Sequence, residues 1–118
     1  SDDTRFDFLC DKKIIEVKNV TLTREPNIAE FPDSITSRGS KHLIKLIDSL
    51  KNGYKPFVLF LTQIQGISNF RIAKDIDSEY YKNYILAKKA GVKFLAYRCS
   101  ISSTEIKIEK KIKIIDER

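Results

Sequence analysis

Three charged residues near the N-terminus, Asp7, Glu16 and Lys18, have the types and the spacing of a divalent-metal site. Segments 5–10 and 13–20 are both predicted strands, and residues 11–12 between them are predicted to form a tight turn. In such a hairpin, opposed residues have numbers that sum to 23, so Asp7 faces Glu16. Two opposed carboxylates, with Cβ atoms roughly 5 Å apart, repel each other unless a cation lies between them. A divalent metal ion is the natural candidate.

The residue types also indicate which metal and which chemistry. Hard oxygen ligands on adjacent strands suit Mg²⁺ or Mn²⁺, which keeps several waters and completes its coordination with a phosphate. Lys18 lies two residues beyond Glu16 on the same face, where it could orient or deprotonate an attacking water and offset charge on the phosphorus. The alternative is a solvent-facing charged strand, whose acids are neutralised by Arg5 and Lys18.

The same register predicts which face of the hairpin enters the core. Four apolar residues share one face and are predicted to be buried: Phe6, Phe8, Ile15 and Val17. Asp7, Glu16 and Lys18 share the other face with Arg5 and Ile14. The predicted site therefore lies on the face opposite to the hairpin's apolar residues.

The remaining pattern predicts the elements that would support this hairpin. An extended connection over 21–31 leads to a helix that begins at Asp33, Ser34 or Thr36 and ends near Asn52. A buried strand over 55–62, a polar loop over 65–76, a second helix from Asp77 or Ser78 to Gly91, a strand over 93–100 and a charged edge strand over 105–115 follow. In the loop, Phe70 and Arg71 are predicted to be exposed. This order predicts an α/β domain with a mixed β-sheet flanked by helices.

A basic cluster lies in the first turns of the first predicted helix: Arg38, Lys41, His42 and Lys45. Positive side chains near a helix N-terminus are unfavourable, because the helix dipole prefers an anion at that end. This cluster therefore suggests that an anion binds at the N-terminus of the helix, and DNA phosphate is our candidate. The alternative is the solvated face of an amphipathic helix. Gln63 ends the buried strand, where its amide could bind phosphate or position the water, or could simply contact solvent.

Around Asp7 and Glu16-Val17-Lys18 the chain resembles the PD-(D/E)xK nucleases, and within them the sugar fermentation stimulation protein family. The closer resemblance rests on segments in that family's order: Arg5 to Phe8, Glu16 to Leu22, Phe31 to Asp33, Thr36, Arg38 to Gly39, Lys41 to Leu43, Phe60 to Leu61 with Gln63, Asp77 with Tyr80, and Ala90 to Val92. The resemblance implies a restriction-endonuclease-like core, DNA binding, metal ligation by Asp7 and Glu16, and catalysis by Lys18.

The resemblance also implies more polypeptide than this sequence contains. Members of the family carry an OB-like β-barrel domain and a helix that brings a further acid to the site. Only four residues precede the predicted hairpin here. We therefore expect residues 1–118 to form a single nuclease-like domain without that barrel.

Composition limits the partners and the compartment. A net charge of +6 favours a polyanion such as nucleic acid, although lysines also solvate surfaces. No apolar run approaches the roughly 20 residues that span a bilayer, so we expect a cytoplasmic protein without membrane contact. Cys10 and Cys99 are expected to be free, buried thiols rather than zinc ligands. No small-molecule cofactor is predicted, and the sequence leaves the oligomeric state open.

Three functions follow from these observations. The first is a DNA-binding, nuclease-like domain with metal-dependent phosphodiester hydrolysis. The second is a DNA-binding regulator that retains the nuclease fold without cutting. The third is an enzyme acting on a small phosphorylated metabolite, which would need a closed pocket in place of an open basic groove.

Overall fold

A computed structural model describes residues 8–116, except for the side chain of Phe8. The strands are β1 (Phe8–Cys10), β2 (Lys13–Val20), β3 (Leu22–Glu25), β4 (Ile28–Phe31), β5 (Lys55–Thr62), β6 (Asn69–Ile72), β7 (Lys93–Ile101) and β8 (Ile106–Ile114), and the helices are α1 (Ser37–Leu50) and α2 (Ser78–Ala90). The strands form one mixed, curled sheet in the order β1-β2-β5-β7-β8-β6-β4-β3. The predicted α/β class with a mixed sheet and two helices is confirmed.

The first hairpin has the predicted register. Asp11 and Lys12 form its turn, with φ values of 53° and 70° that suit a two-residue turn between twisted strands. Across the hairpin Phe8 pairs with Ile15, and the two neighbouring pairs follow the same sum of 23. Asp7 lies outside the described residues, so its place opposite Glu16 stays a prediction.

The predicted core face of the hairpin was wrong for Ile15 and Val17, whereas Phe6 and the side chain of Phe8 lie outside the described part of the chain. Ile14 and Val20 are buried together with Glu16, whereas Ile15 and Val17 are only partly buried. Both helices contribute to the core on the Glu16 side of the sheet. The side chains of β5 and β7 that point to this side are buried or packed against the core. Alternation within one hairpin defines two faces, but distant elements decide which face is covered. The site therefore lies inside the molecule.

Local capping residues set the limits of both helices. Thr36 caps α1 by accepting a hydrogen bond from the backbone N–H of Gly39 at 3.0 Å. Asp77 caps α2 in the same way, accepting from the N–H of Tyr80, and its second oxygen accepts from the N–H of Thr36 at 2.8 Å. Gly91, with φ of 122°, ends α2 as predicted. One buried carboxylate thus joins the N-terminal ends of both helices.

Gly39 allows the two helices to approach each other closely. A Cβ atom there would lie 2.9 Å from Oγ1 of Thr36 and 3.2 Å from Cε1 of Tyr80. Both distances are too short for an ordinary contact. Glycine at this position therefore lets the Tyr80 ring pack under the first turn of α1.

Several irregular segments of the prediction are strands in the structure. The predicted connection over 21–31 contains the hairpin of β3 and β4, and the predicted loop over 65–76 contains β6. Phe70 is fully buried and Arg71 is ion-paired, so neither is the exposed contact residue that was predicted. The predicted edge strand, β8, lies between β7 and β6. Cys10 is exposed, and only Cys99 is a buried thiol.

An ion-pair network joins β3, β4 and β6. Glu30 is fully buried and accepts hydrogen bonds from Arg24 and Arg71. Arg24 also binds Asp75 through two hydrogen bonds of 2.7 and 2.8 Å. Burial alone would raise the pKa of Glu30, but the two guanidinium groups outweigh it and hold that pKa below its usual value. The hydrogen bonds from Arg24 lower the pKa of Asp75 to about 2.

Among the described residues, neither helix is long and apolar enough to cross a membrane.

Candidate metal centre

The centre of the candidate site is the buried carboxylate of Glu16. Its side chain is 5% exposed, and Nζ of Lys18 lies 2.7 Å from its Oε2. Nδ1 of His42 lies 3.2 Å from both carboxylate oxygens. Because a carboxylate only accepts, Nδ1 of His42 carries the proton in these contacts. A buried anion is thus held by one ammonium group and one imidazole.

Local structure brings these three side chains together. Glu16 and Lys18 are two residues apart on β2 and therefore point to the same face. His42 lies in the second turn of α1, on the stripe that also buries Leu43 and Leu46. The ring of Phe31 lies below the Lys18 ammonium, 6.0 Å from it. Strand β2 thus supplies the charged side chains of Glu16 and Lys18, and α1 covers them with His42.

Two buried hydroxyl groups, one in the first turn of each helix, have no hydrogen-bond partner among the described residues. Oγ of Ser40 and the hydroxyl of Tyr80 are buried and make no hydrogen bond within residues 8–116. The Tyr80 ring packs edge-on against Phe31, whose ring lies below Lys18. Burial and then the negative charge of Glu16 raise the pKa of Tyr80. The Tyr80 hydroxyl therefore lies within the electrostatic field of the Glu16 carboxylate.

These groups fit a hard divalent cation in part. A buried carboxylate is a suitable ligand, and the unpartnered Tyr80 hydroxyl suits one of the waters that Mg²⁺ or Mn²⁺ retains. The Lys18 ammonium now provides the positive charge at Glu16. Within the part of the chain that the structure describes, no group of three or more His, Cys, Asp or Glu side chains converges. Of the two predicted ligands, Glu16 lies in that part of the chain and Asp7 lies outside it.

The predicted phosphate-binding residues divide into two groups. Arg38, Lys41 and Lys45 are exposed, at helical positions that form one stripe along α1. His42 follows that stripe inward but is buried against Glu16, so it belongs to the centre itself. Gln63 is exposed just beyond the end of β5, and among the described side chains it is not one of those that contact Glu16.

No sequence pattern indicated that Tyr80 lies close to the site. Tyr80 is fully buried in the core. Its hydroxyl is enclosed where α1, α2 and β4 pack together, and a local sequence pattern cannot predict such a contact between distant elements.

The fold and the site together define a class: an α/β protein whose mixed, curled sheet carries a buried Glu-x-Lys pair beneath a helix histidine. Residues 1–105 match the family described as the sugar fermentation stimulation protein RE domain. The chain belongs to this family.

Relatives with the same name are close in sequence. The chain is 65% identical to the sugar fermentation stimulation protein homolog of Pelagibacter ubique, over 97% of this chain and 51% of the relative. It is 38% identical to the homolog of Brucella melitensis, over 98% of this chain and 50% of the relative. The chain thus spans about half the length of the curated relatives that it matches.

A solved structure has the same fold. Pyrococcus furiosus SfsA in complex with Ca²⁺ superimposes with a TM-score of 0.84 at 26% identity, covering 97% of this chain and 51% of that chain.

Proposed function

We propose that this protein binds DNA and hydrolyses phosphodiester bonds with a divalent metal ion, on a restriction-endonuclease-like core. The observation that carries the proposal is the buried Glu16 carboxylate, held between Lys18 and His42 on a face bordered by basic residues. The Ca²⁺ bound by the Pyrococcus furiosus relative supports a divalent ion at the same fold.

In this proposal the residues have separate roles. Glu16 and Asp7 would hold Mg²⁺ or Mn²⁺, and the ion would supply Lewis acidity toward a phosphate oxygen. Lys18, displaced from Glu16, would hold or deprotonate the attacking water and offset developing negative charge. His42 would keep the Glu16 carboxylate in place by donating from Nδ1. Gln63 would help to position the water or the phosphate.

The exposed stripe on α1 would hold the nucleic acid. Arg38, Lys41 and Lys45 border the buried His42, so a backbone lying along them would pass close to Glu16. Contacts of this kind read charge rather than base identity. We therefore expect weak, sequence-insensitive binding that depends steeply on salt.

A second candidate is a DNA-binding regulator without cleavage. It is favoured by a specific observation, since Glu16 is the one carboxylate that the described residues bring to the centre. In this alternative the Lys18 ammonium would neutralise Glu16 permanently, and no metal would bind.

Cleavage of labelled DNA in Mn²⁺ separates the two candidates. The chain is expected to cut slowly or not at all, and the Pelagibacter ubique relative, with its additional half, to cut faster because substrate positioning is a large part of catalysis. Lys18→Ala, in the chain and at the aligned position of the relative, should abolish cutting, whereas Lys13→Ala on the same strand should not. No cutting by either protein would favour the regulator. Equal rates with and without the additional half would refute the positioning argument.

A further inference from the structure

The side of the sheet that faces away from the helices carries an apolar surface. We call it the open sheet face and define it by Ile15, Phe57, Leu59, Leu95 and Tyr97. All five side chains are partly exposed, and none belongs to the buried core cluster or to the residues packed against it.

The strand register shows that these residues are neighbours. Ile15 pairs with Phe57 across β2 and β5, and Leu59 pairs with Leu95 across β5 and β7. Paired residues of adjacent strands point to the same face and lie about 5 Å apart. Tyr97 follows two residues after Leu95 and shares its side. The five residues therefore form one contiguous surface across three central strands.

The β7–β8 hairpin carries further exposed isoleucines. The β7–β8 ladder shifts register between Arg98 and Cys99, and beyond this shift Ile101 pairs with Ile106. Ile101, Ile106 and Ile108 are 45%, 56% and 51% exposed. Large exposed apolar patches of this kind mark interaction sites, because soluble proteins seldom leave them in water.

Three lysines border this surface at one end. Lys13 pairs with Lys55, and Lys93 pairs with Phe57, so all three lie on the open side at the beginning of the parallel strands. All three are exposed. The occupant should therefore have an apolar centre and acidic residues that meet the lysines.

We propose that the open sheet face binds additional polypeptide of the kind that the longer relatives contain. The same fold occupies only 51% of the Pyrococcus furiosus chain, and the Pelagibacter ubique relative is likewise about twice as long as the part that matches. A covalently linked segment has a high effective concentration at a neighbouring surface. A second copy of this chain is disfavoured, because a net charge of +6 and the lysine border would face a like charge.

Hydroxyl-radical footprinting of the chain and of the full-length Pelagibacter ubique relative tests this proposal without any substitution. We expect Phe57, Leu59, Leu95 and Tyr97 to be oxidised several-fold faster in the chain than the aligned residues in the relative. Leu86, which is 47% exposed on α2, should be oxidised equally in both and serves as the control. Equal oxidation of the open sheet face in both proteins would overturn the proposal. Protection that appears in the chain alone as its concentration rises would also overturn it, because the occupant would then be a second copy.

Substitution gives a second measurement. Leu95→Lys should leave the melting temperature of the chain nearly unchanged and lower that of the relative clearly, whereas Leu86→Lys should change neither. An equal effect of Leu95→Lys on both proteins would count against an occupant in the relative. Because both tests measure coverage of the sheet, they fail or succeed independently of nuclease activity.

Discussion

The hydroxyl group of Tyr80 is buried near the site and makes no hydrogen bond among the described residues. A buried, unpartnered hydroxyl costs about 1–3 kcal/mol, so such a group usually serves a ligand or a water. It packs beside Phe31 and within the field of Glu16, so in the proposed function its partner would be a water bound to the metal ion.

Tyr80→Phe should therefore separate structure from function. In chelator, the variant should be as stable as the parent or up to about 1 kcal/mol more stable, because the unpartnered hydroxyl is gone. Its Mn²⁺ affinity should fall several-fold. Tyr84→Phe is the matched control, because the Tyr84 hydroxyl donates to Asp116 at 2.7 Å and its loss should destabilise the protein. Clear destabilisation of Tyr80→Phe in chelator would show that its hydroxyl already has a partner.

The charges around Glu30 predict how stability depends on pH. The folded-state pKa of Glu30 lies below 4.5, and that of Asp75 is about 2. Their stabilising contribution is therefore complete above the unfolded values near 4 and is lost as the pH falls through the folded values. The free energy of unfolding should fall between about pH 5 and pH 2. Arg24→Gln should lower the free energy of unfolding at pH 7 and make its decrease toward acidic pH less steep, whereas Arg38→Gln should do neither. An equally steep decrease in Arg24→Gln would show that Arg24 does not stabilise the ionised forms of Glu30 and Asp75.

At the scale of elements, Asp77 holds the beginnings of α1 and α2 together. It accepts hydrogen bonds from the backbone N–H groups of Tyr80 and Thr36 and is 3% exposed. Asp77→Ala should cost about 2–4 kcal/mol, because two charge-assisted hydrogen bonds and one helix cap are lost. Asp33→Ala, an exposed residue before α1, should cost less than about 0.5 kcal/mol. Chemical denaturation measures both, and similar costs would show that Asp77 does not couple the helices.

The sequence predicted those elements whose signals are local. The Asp11-Lys12 turn, the Thr36 and Asp77 caps and Gly91 each act within a few residues, so the first hairpin and both helices were predicted closely. The strands β3, β4 and β6 were not predicted, because each has only four residues. Pro26, between β3 and β4, also favoured an extended connection over a hairpin. For the site, the Glu16 and Lys18 pair was visible in strand alternation. The contact of His42 with Glu16 joins residues 26 positions apart and depends on how α1 packs over the sheet.

For the whole molecule, the charge distribution predicts how the proposed binding of nucleic acid depends on salt. Replacing Arg38 and Lys41 together by alanine should reduce the slope of log K against log salt by about two units, because each phosphate contact releases about one counterion. Fluorescence anisotropy with a labelled duplex measures the slope. Replacing Lys107 and Lys110 on β8, both exposed, removes the same charge elsewhere and should change the slope less. Equal changes in the two double variants would show that α1 holds no specific phosphate contacts.

The central claim is that Glu16 is a metal ligand, and a Mn²⁺ titration followed by electron paramagnetic resonance tests it most directly. We predict that the parent chain binds Mn²⁺, that Glu16→Gln weakens binding by at least about tenfold, and that exposed Glu79→Gln leaves it unchanged. Lys18→Ala should bind Mn²⁺ as tightly as the parent or more tightly, because the competing ammonium 2.7 Å from Glu16 is removed. Binding by Glu16→Gln that equals binding by the parent would contradict the claim.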